Sequence, residues 1–207
     1  MNFDHVKILP YVGGEYSRSN RFGLSILILG ESHYSNNGSP LNREFTQEVV
    51  QEVIDGANYP FFTKTVGVFH GAWPNHGLRR QFWTSVVFYN FIQETVGPRP
   101  RIRPTDAMWR AAGPALEEVL IQYEPGFVLV LGKQLWENLP IPLKPGPTVT
   151  LPDGRSRESR LYFNDAGYAF TFGINHPCSG GWAYSKWTPW VLAALEIGRR
   201  FQNREIG

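Results

Sequence analysis

The chain has 207 residues, 42% of them hydrophobic and 14% aromatic, with a formal net charge of +2. That length and composition bury a substantial core without staples, so a single domain over 1–207 is expected, and so small a charge argues neither for nor against nucleic acid. The lone cysteine, Cys178, excludes an internal disulfide framework, a cysteine-rich zinc site and a four-cysteine iron–sulfur cluster, and no metal is expected.

Met1 to Pro10 carries Asp4 and Lys7 where a secretory signal needs an apolar run, and no stretch is long and apolar enough to span a bilayer. A soluble, cytoplasmic protein that makes no membrane contact is therefore expected. Leu24 to Leu29 is a short apolar run stopped by Gly30, as in a parallel strand buried on both faces. Arg43 to Ile54 spaces Phe45, Val49, Val50, Val53 and Ile54 as a helix, with Gly56 and Asn58 beyond it as a stop. Phe61 to Val68 reads as a short helix, Gly71 to Gly77 as a loop, and Arg79 to Ser85 as the next helical piece.

Val86 to Ile92 is a second buried strand by its β-branched and aromatic content. Pro98, Pro100 and Pro104 then hold Arg99, Arg101 and Arg103 on an extended, exposed loop. Thr105 is placed to cap a helix running to about Tyr123 and kinked at Pro114. Phe127 to Leu131 is a third strand, ended by Gly132 and followed by a helical segment carrying Leu135 and Trp136. Asp153-Gly154 signals a hairpin between Thr148 to Leu151 and Arg160 to Phe163, and Ala169 to Ile174 is a fourth strand. Thr188 and Pro189 announce a last helix carrying Val191, Leu192, Leu195 and Ile197.

Strands alternating with helices predict an α/β fold: a three-layer α/β/α sandwich around a mainly parallel, four-stranded sheet. Ligands of such sheets sit beyond the carboxyl ends of the strands, so the loops after Gly30, Asn90, Gly132 and Ile174 should line one cleft.

Gly30-Glu31-Ser32-His33-Tyr34 resembles the first motif of the uracil-DNA glycosylase superfamily, written Gly-Gln-Asp-Pro-Tyr-His in one branch and Gly-Glu-Ala-Pro-Gly in another. Val86 to Phe91, the Gly97-Pro98-Arg99-Pro100 loop and the helix after Thr105 resemble the corresponding stretch of the thermophilic branch, as does Phe127 to Gly132. Asn175-His176-Pro177-Cys178 resembles the superfamily's His-Pro-Ser motif. Four short motifs in the same order are more specific than any one of them. Ser32 and His33 replace the Asp-Pro or Ala-Pro of the known motifs, and the cluster cysteines of the thermophilic branch are absent.

The resemblance implies a monomeric DNA glycosylase that needs no cofactor. It would swing an altered base out of single- or double-stranded DNA, at an unstacking cost of roughly a few kcal/mol, and hydrolyse its glycosidic bond to leave an abasic site. In that picture His176 donates a hydrogen bond to the leaving base, Asn90 pairs with the edge of the extruded base, and Gly30 belongs to the base-binding loop. Glu31 steadies the cationic sugar or orients water, or else simply bonds to loop amides. Tyr34 is either a wall against a pyrimidine methyl group or core packing.

Ser32 and His33 are either a replacement water-activating pair, or His33 binds a phosphate. Arg99, Arg101 and Arg103 are either phosphate contacts or solvated surface. Gly180 and Gly181 let backbone approach DNA closely, with Trp182 or Tyr184 as a wedge; the other reading has Trp182 anchor the last helix in the core, as Trp187 and Trp190 are expected to do. Lyase chemistry is not expected, because only Lys133 and Lys186 fall near predicted strand ends. A competing reading keeps the fold as a nucleic-acid or nucleotide-binding module without catalysis. An unrelated hydrolase is disfavoured by the lack of a Gly-x-Ser-x-Gly elbow.

Overall fold

The computed structural model describes residues 3–35, 40–98 and 102–203. In chain order they form β1 (Tyr11–Val12), β2 (Ile26–Gly30), α1 (Phe45–Asp55), α2 (Pro60–Gly67), α3 (His76–Trp83), β3 (Val87–Asn90), α4 (Asp106–Ala111) and α5 (Gly113–Tyr123). There follow β4 (Phe127–Leu131), α6 (Lys133–Asn138), β5 (Lys144–Pro145), β6 (Val149–Thr150), β7 (Ser156–Arg157), β8 (Arg160–Asn164), β9 (Gly167–Ile174) and α7 (Tyr184–Gln202).

The molecule is a mixed α/β structure with a mostly parallel central sheet. Among the described residues that sheet has seven strands in the order β1-β3-β2-β4-β9-β8-β5, rather than four. The four strands expected from the sequence are its parallel core, β3-β2-β4-β9. Short antiparallel strands extend it on both sides, β1 on β3 and the β8–β5 pair on β9. β1 and β5 escape a reading by apolar runs because each is two residues long, whereas β8 falls on the Arg160 to Phe163 arm that the sequence marks but assigns to another partner.

Alternate residues of each core strand enter two separate cores, as the two-residue period of a strand requires. Ile26, Ile28, Phe88 and Leu129 pack with α1, α2, α3 and α7, whereas Leu27, Leu29, Val87 and Val130 pack with α4, α5 and α6. Helices thus cover both faces. None among the described residues is long and apolar enough to cross a membrane.

Three local expectations change. Asp153-Gly154 does turn a hairpin, but it joins β6 to β7, while Arg160 to Asn164 pairs with β9 instead. The helix break near Pro114 falls at Ala112, leaving Pro114 in the first turn of α5, where its missing N–H costs no hydrogen bond. The last helix starts at Tyr184, so Thr188 is no cap and Pro189 lies inside. Trp187, only 1% exposed, explains the extension: its burial against the core draws the chain into helix a turn before the proline.

Candidate functional site

Gly30 ends β2 and Asn90 ends β3, and the two are direct neighbours in the parallel register. The absence of a side chain at position 30 makes room for the Asn90 amide, since a Cβ there would run into Asn90 Oδ1 and displace it. Beyond this pair the two chains stay zipped. Phe91 N–H donates to Gly30 O at 2.9 Å, Ile92 N–H to Glu31 O at 2.9 Å, and His33 bridges to Thr95. The motif loop as far as Ser35 is therefore held as an extension of the sheet.

His33 is buried between β3 and α1. Its Nε2 lies 2.9 Å from Thr46 Oγ1, and the Asn90 amide nitrogen sits 3.1 Å from Nδ1 and 3.0 Å from Nε2. Phe45 closes on the ring edge-on at 5.2 Å. Burial drives the imidazole pKa down to about 4, so His33 is neutral near neutral pH. Both nitrogens face protein groups, and through them the ring fixes the orientation of Asn90. Ser32 Oγ is buried with no hydrogen-bond partner among the described residues, so no Ser32–His33 hydrogen bond is formed.

Glu31 is mostly buried and its carboxylate meets the exposed Arg103 guanidinium at 3.4 Å. Desolvation raises its pKa and Arg103 opposes the rise. Arg99 and Arg101 lie outside the described residues.

His176 follows β9. Its Nδ1 accepts the backbone N–H of Cys178 at 3.1 Å, which places the proton of a neutral ring on Nε2 and leaves that N–H to donate. Burial lowers its pKa, and the positive charges of Arg103 and Lys64 lower it further. The ring stacks on Phe61 at 5.1 Å and 30°, and Phe61 in turn contacts Phe88, whose ring lies beneath Gly30.

The structure thus joins Gly30, Glu31, Asn90, Arg103 and His176 at the carboxyl end of the parallel strands. It adds Phe61 and Lys64 from α2, which the sequence hid inside an ordinary amphipathic helix. Lys64 also corrects the expectation that only Lys133 and Lys186 come near the strand ends: its charge is felt at His176 and Cys178. Tyr34 stands apart, half-buried against the core of the other sheet face. Trp182 stacks on Trp187 at 6.1 Å, and Trp182 and Tyr184 both pack against the first core. Gly180 and Gly181 are exposed, and a Cβ on either would meet nothing within 4 Å. Two cavities, of about 320 Å³ by Arg18, Asn164 and Phe201 and about 220 Å³ by Lys7 and Glu94, lie away from this cluster.

Chemically, the cluster offers an oriented neutral N–H donor, an amide with its acceptor turned over a glycine, a shielded carboxylate and two cations. No group of residues suited to hold a metal ion occurs among the described residues. The sequence matches no model of a known protein family, and a search of curated proteins returned no match.

Proposed function

We infer that this protein is a DNA glycosylase with a uracil-DNA glycosylase-like fold, removing uracil or another altered base by hydrolysis and leaving an abasic site. The observation that carries the reading is the state of His176. A neutral imidazole whose Nδ1 is occupied by a backbone amide presents Nε2–H to a developing anion and cannot swap tautomers without losing that bond. Departure of a base leaves negative charge on the base and positive charge on the sugar. His176 suits the first and Glu31 the second, while Arg103 and Lys64 set a positive field for the leaving group and flanking phosphates. Asn90, held by His33, supplies the polar edge for an extruded base.

The test is base release from DNA carrying uracil, 5-substituted uracils, deaminated purines or hypermodified cytosines. His176→Ala is expected to lower single-turnover release by roughly 10²–10³, the usual effect of removing one preorganised donor. Release by wild type with no loss in His176→Ala sinks the assignment of the donor; no release from any of these substrates sinks the glycosylase reading. Borohydride should trap no adduct, and a trapped adduct at Lys64 would overturn the simple hydrolytic route.

One observation favours the alternative of a binding module on the same fold: the Glu31 carboxylate is tied to Arg103, and Ser32 and His33 form no water-activating pair. DNA binding without turnover, unchanged in His176→Ala, is its signature.

A further inference from the structure

The β6–β7 hairpin packs on the first core and carries a cluster of cation–aromatic contacts. Val149 and Leu151 are buried in the first core and anchor it against α7. Over that anchor two arginines lie across tryptophans. The Arg157 guanidinium carbon is 4.8 Å from the ring centre of Trp187 and 5.3 Å from that of Trp190, and Arg155 is 5.8 Å from Trp190. Lys186 Nζ borders the same Trp187 ring at 5.6 Å. Trp182, from the loop after His176, stacks on Trp187 as well.

The charges are unequally occupied. Arg155 is paired with Asp153 at 2.7 Å, whereas no carboxylate among the described residues forms an ion pair with Arg157 or Lys186. Both are exposed, with Arg157 held in place by its ring contacts instead of by a counter-charge. A cation immobilised over an aromatic face, open to solvent and free of a carboxylate, binds an external anion without first breaking a salt bridge or ordering a long side chain.

The hairpin is also continuous with the candidate site. Ser179 N–H donates to His176 O at 2.8 Å and Trp182 N–H to Ser179 O at 3.3 Å, folding the loop back so that Trp182 reaches Trp187. Gly180 and Gly181, in the loop between His176 and Lys186, are exposed, with open space around both. A strand whose base occupies the His176 site would cross these glycines and bring its next phosphates to the hairpin.

We propose that the β6–β7 hairpin and the start of α7 form a phosphate-gripping arm, in which Arg157 and Lys186 hold the DNA backbone beside the extruded nucleotide and Arg155 contributes weakly. The choice of DNA as partner rests on the glycosylase reading; the charge arrangement does not. Removing two phosphate contacts from a single strand reduces the slope of log affinity against log salt by about 1.4, and from a duplex by about 1.8.

The experiment measures binding of a labelled 20-nucleotide DNA, single-stranded and duplex, without an altered base, from low to moderate salt. The double variant Arg157→Gln with Lys186→Gln should bind more weakly and lose that much slope. Arg157→Lys, which keeps the charge but not the planar stacking, should keep the slope, and Arg155→Gln should change it least. If Arg157 merely covers tryptophan, Arg157→Lys and Arg157→Gln will lower the melting temperature alike while the slope stays at the wild-type value, which overturns the proposal. So does equal loss of binding to phosphatidylserine vesicles, since the arm would then be a membrane or general polyanion contact. Wild type that binds with the expected slope but releases no base leaves the arm standing and removes the glycosylase reading. Base release with unaltered binding by the glutamine variant does the reverse.

Discussion

His33 is where the same side chain reads differently in sequence and in space. Beside Ser32, in a loop after a strand, a histidine suggests reaction chemistry; packed between Thr46, Asn90 and Phe45 it is a neutral strut that orients the amide of Asn90. Nothing local announces this, because Thr46 and Asn90 are brought to it by the fold. The consequence is measurable. Unfolded, the imidazole takes a proton near pH 6.5; folded, only near 4. Between those values the unfolded chain binds more protons, so this contribution to stability is intact above pH 6.5 and is lost as pH falls toward 4, in all by roughly 3 kcal/mol. His33→Gln keeps hydrogen-bonding capacity without titrating. Urea unfolding at pH 7 and pH 4.5 should therefore show a smaller acid loss in this variant than in wild type, and an equal loss would show that His33 is not the group responsible.

At the scale of elements, the four core strands, and most helices to within a few residues, were legible because apolar runs and helical spacing are local signals. The short edge strands and the start of α7 were not, because contacts with distant chain decide them. Capping chemistry is local and transferred well: Thr105 Oγ1 accepts Met108 N–H at 3.3 Å, as its position before Asp106 implies. Asn75, read only as part of a loop, caps α3 through Leu78 N–H at 2.9 Å. Its replacement by alanine should cost about 1 kcal/mol by urea unfolding, and replacement by glycine only a few tenths. Since α3 packs Trp83 against Phe62 and Phe88, the loss should appear in the tryptophan fluorescence transition. Equal stability of all three proteins would remove Asn75 as a determinant. Phe61 and Lys64 were missed for a related reason, as their spacing in α2 is that of any packed helix and only the fold brings them to His176, on which Phe61 stacks.

For the whole molecule, the order of the strands was beyond the sequence, although strand–helix alternation did imply a parallel sheet with helices on both faces. Because Ile28 and Leu29 are consecutive in β2 yet serve opposite cores, the sheet couples the two. Ile28→Ala and Leu29→Ala should each destabilise by about 2–5 kcal/mol. Each should also unfold in a single step, with the fluorescence and far-ultraviolet circular dichroism transitions superimposed. Separate transitions in either variant would mean that the two faces unfold independently.

Cys178 gives the fold an experimental use. Its backbone N–H holds His176, yet its thiol is exposed and it is the chain's only cysteine. One maleimide dye or spin label would therefore attach at a single position, without any engineered substitution, at the margin of the site. Burial raises the thiol pKa, so coupling is best run on the alkaline side of neutrality. The labelled protein would report, by quenching or loss of label mobility, whether any ligand comes to lie across the glycines that follow.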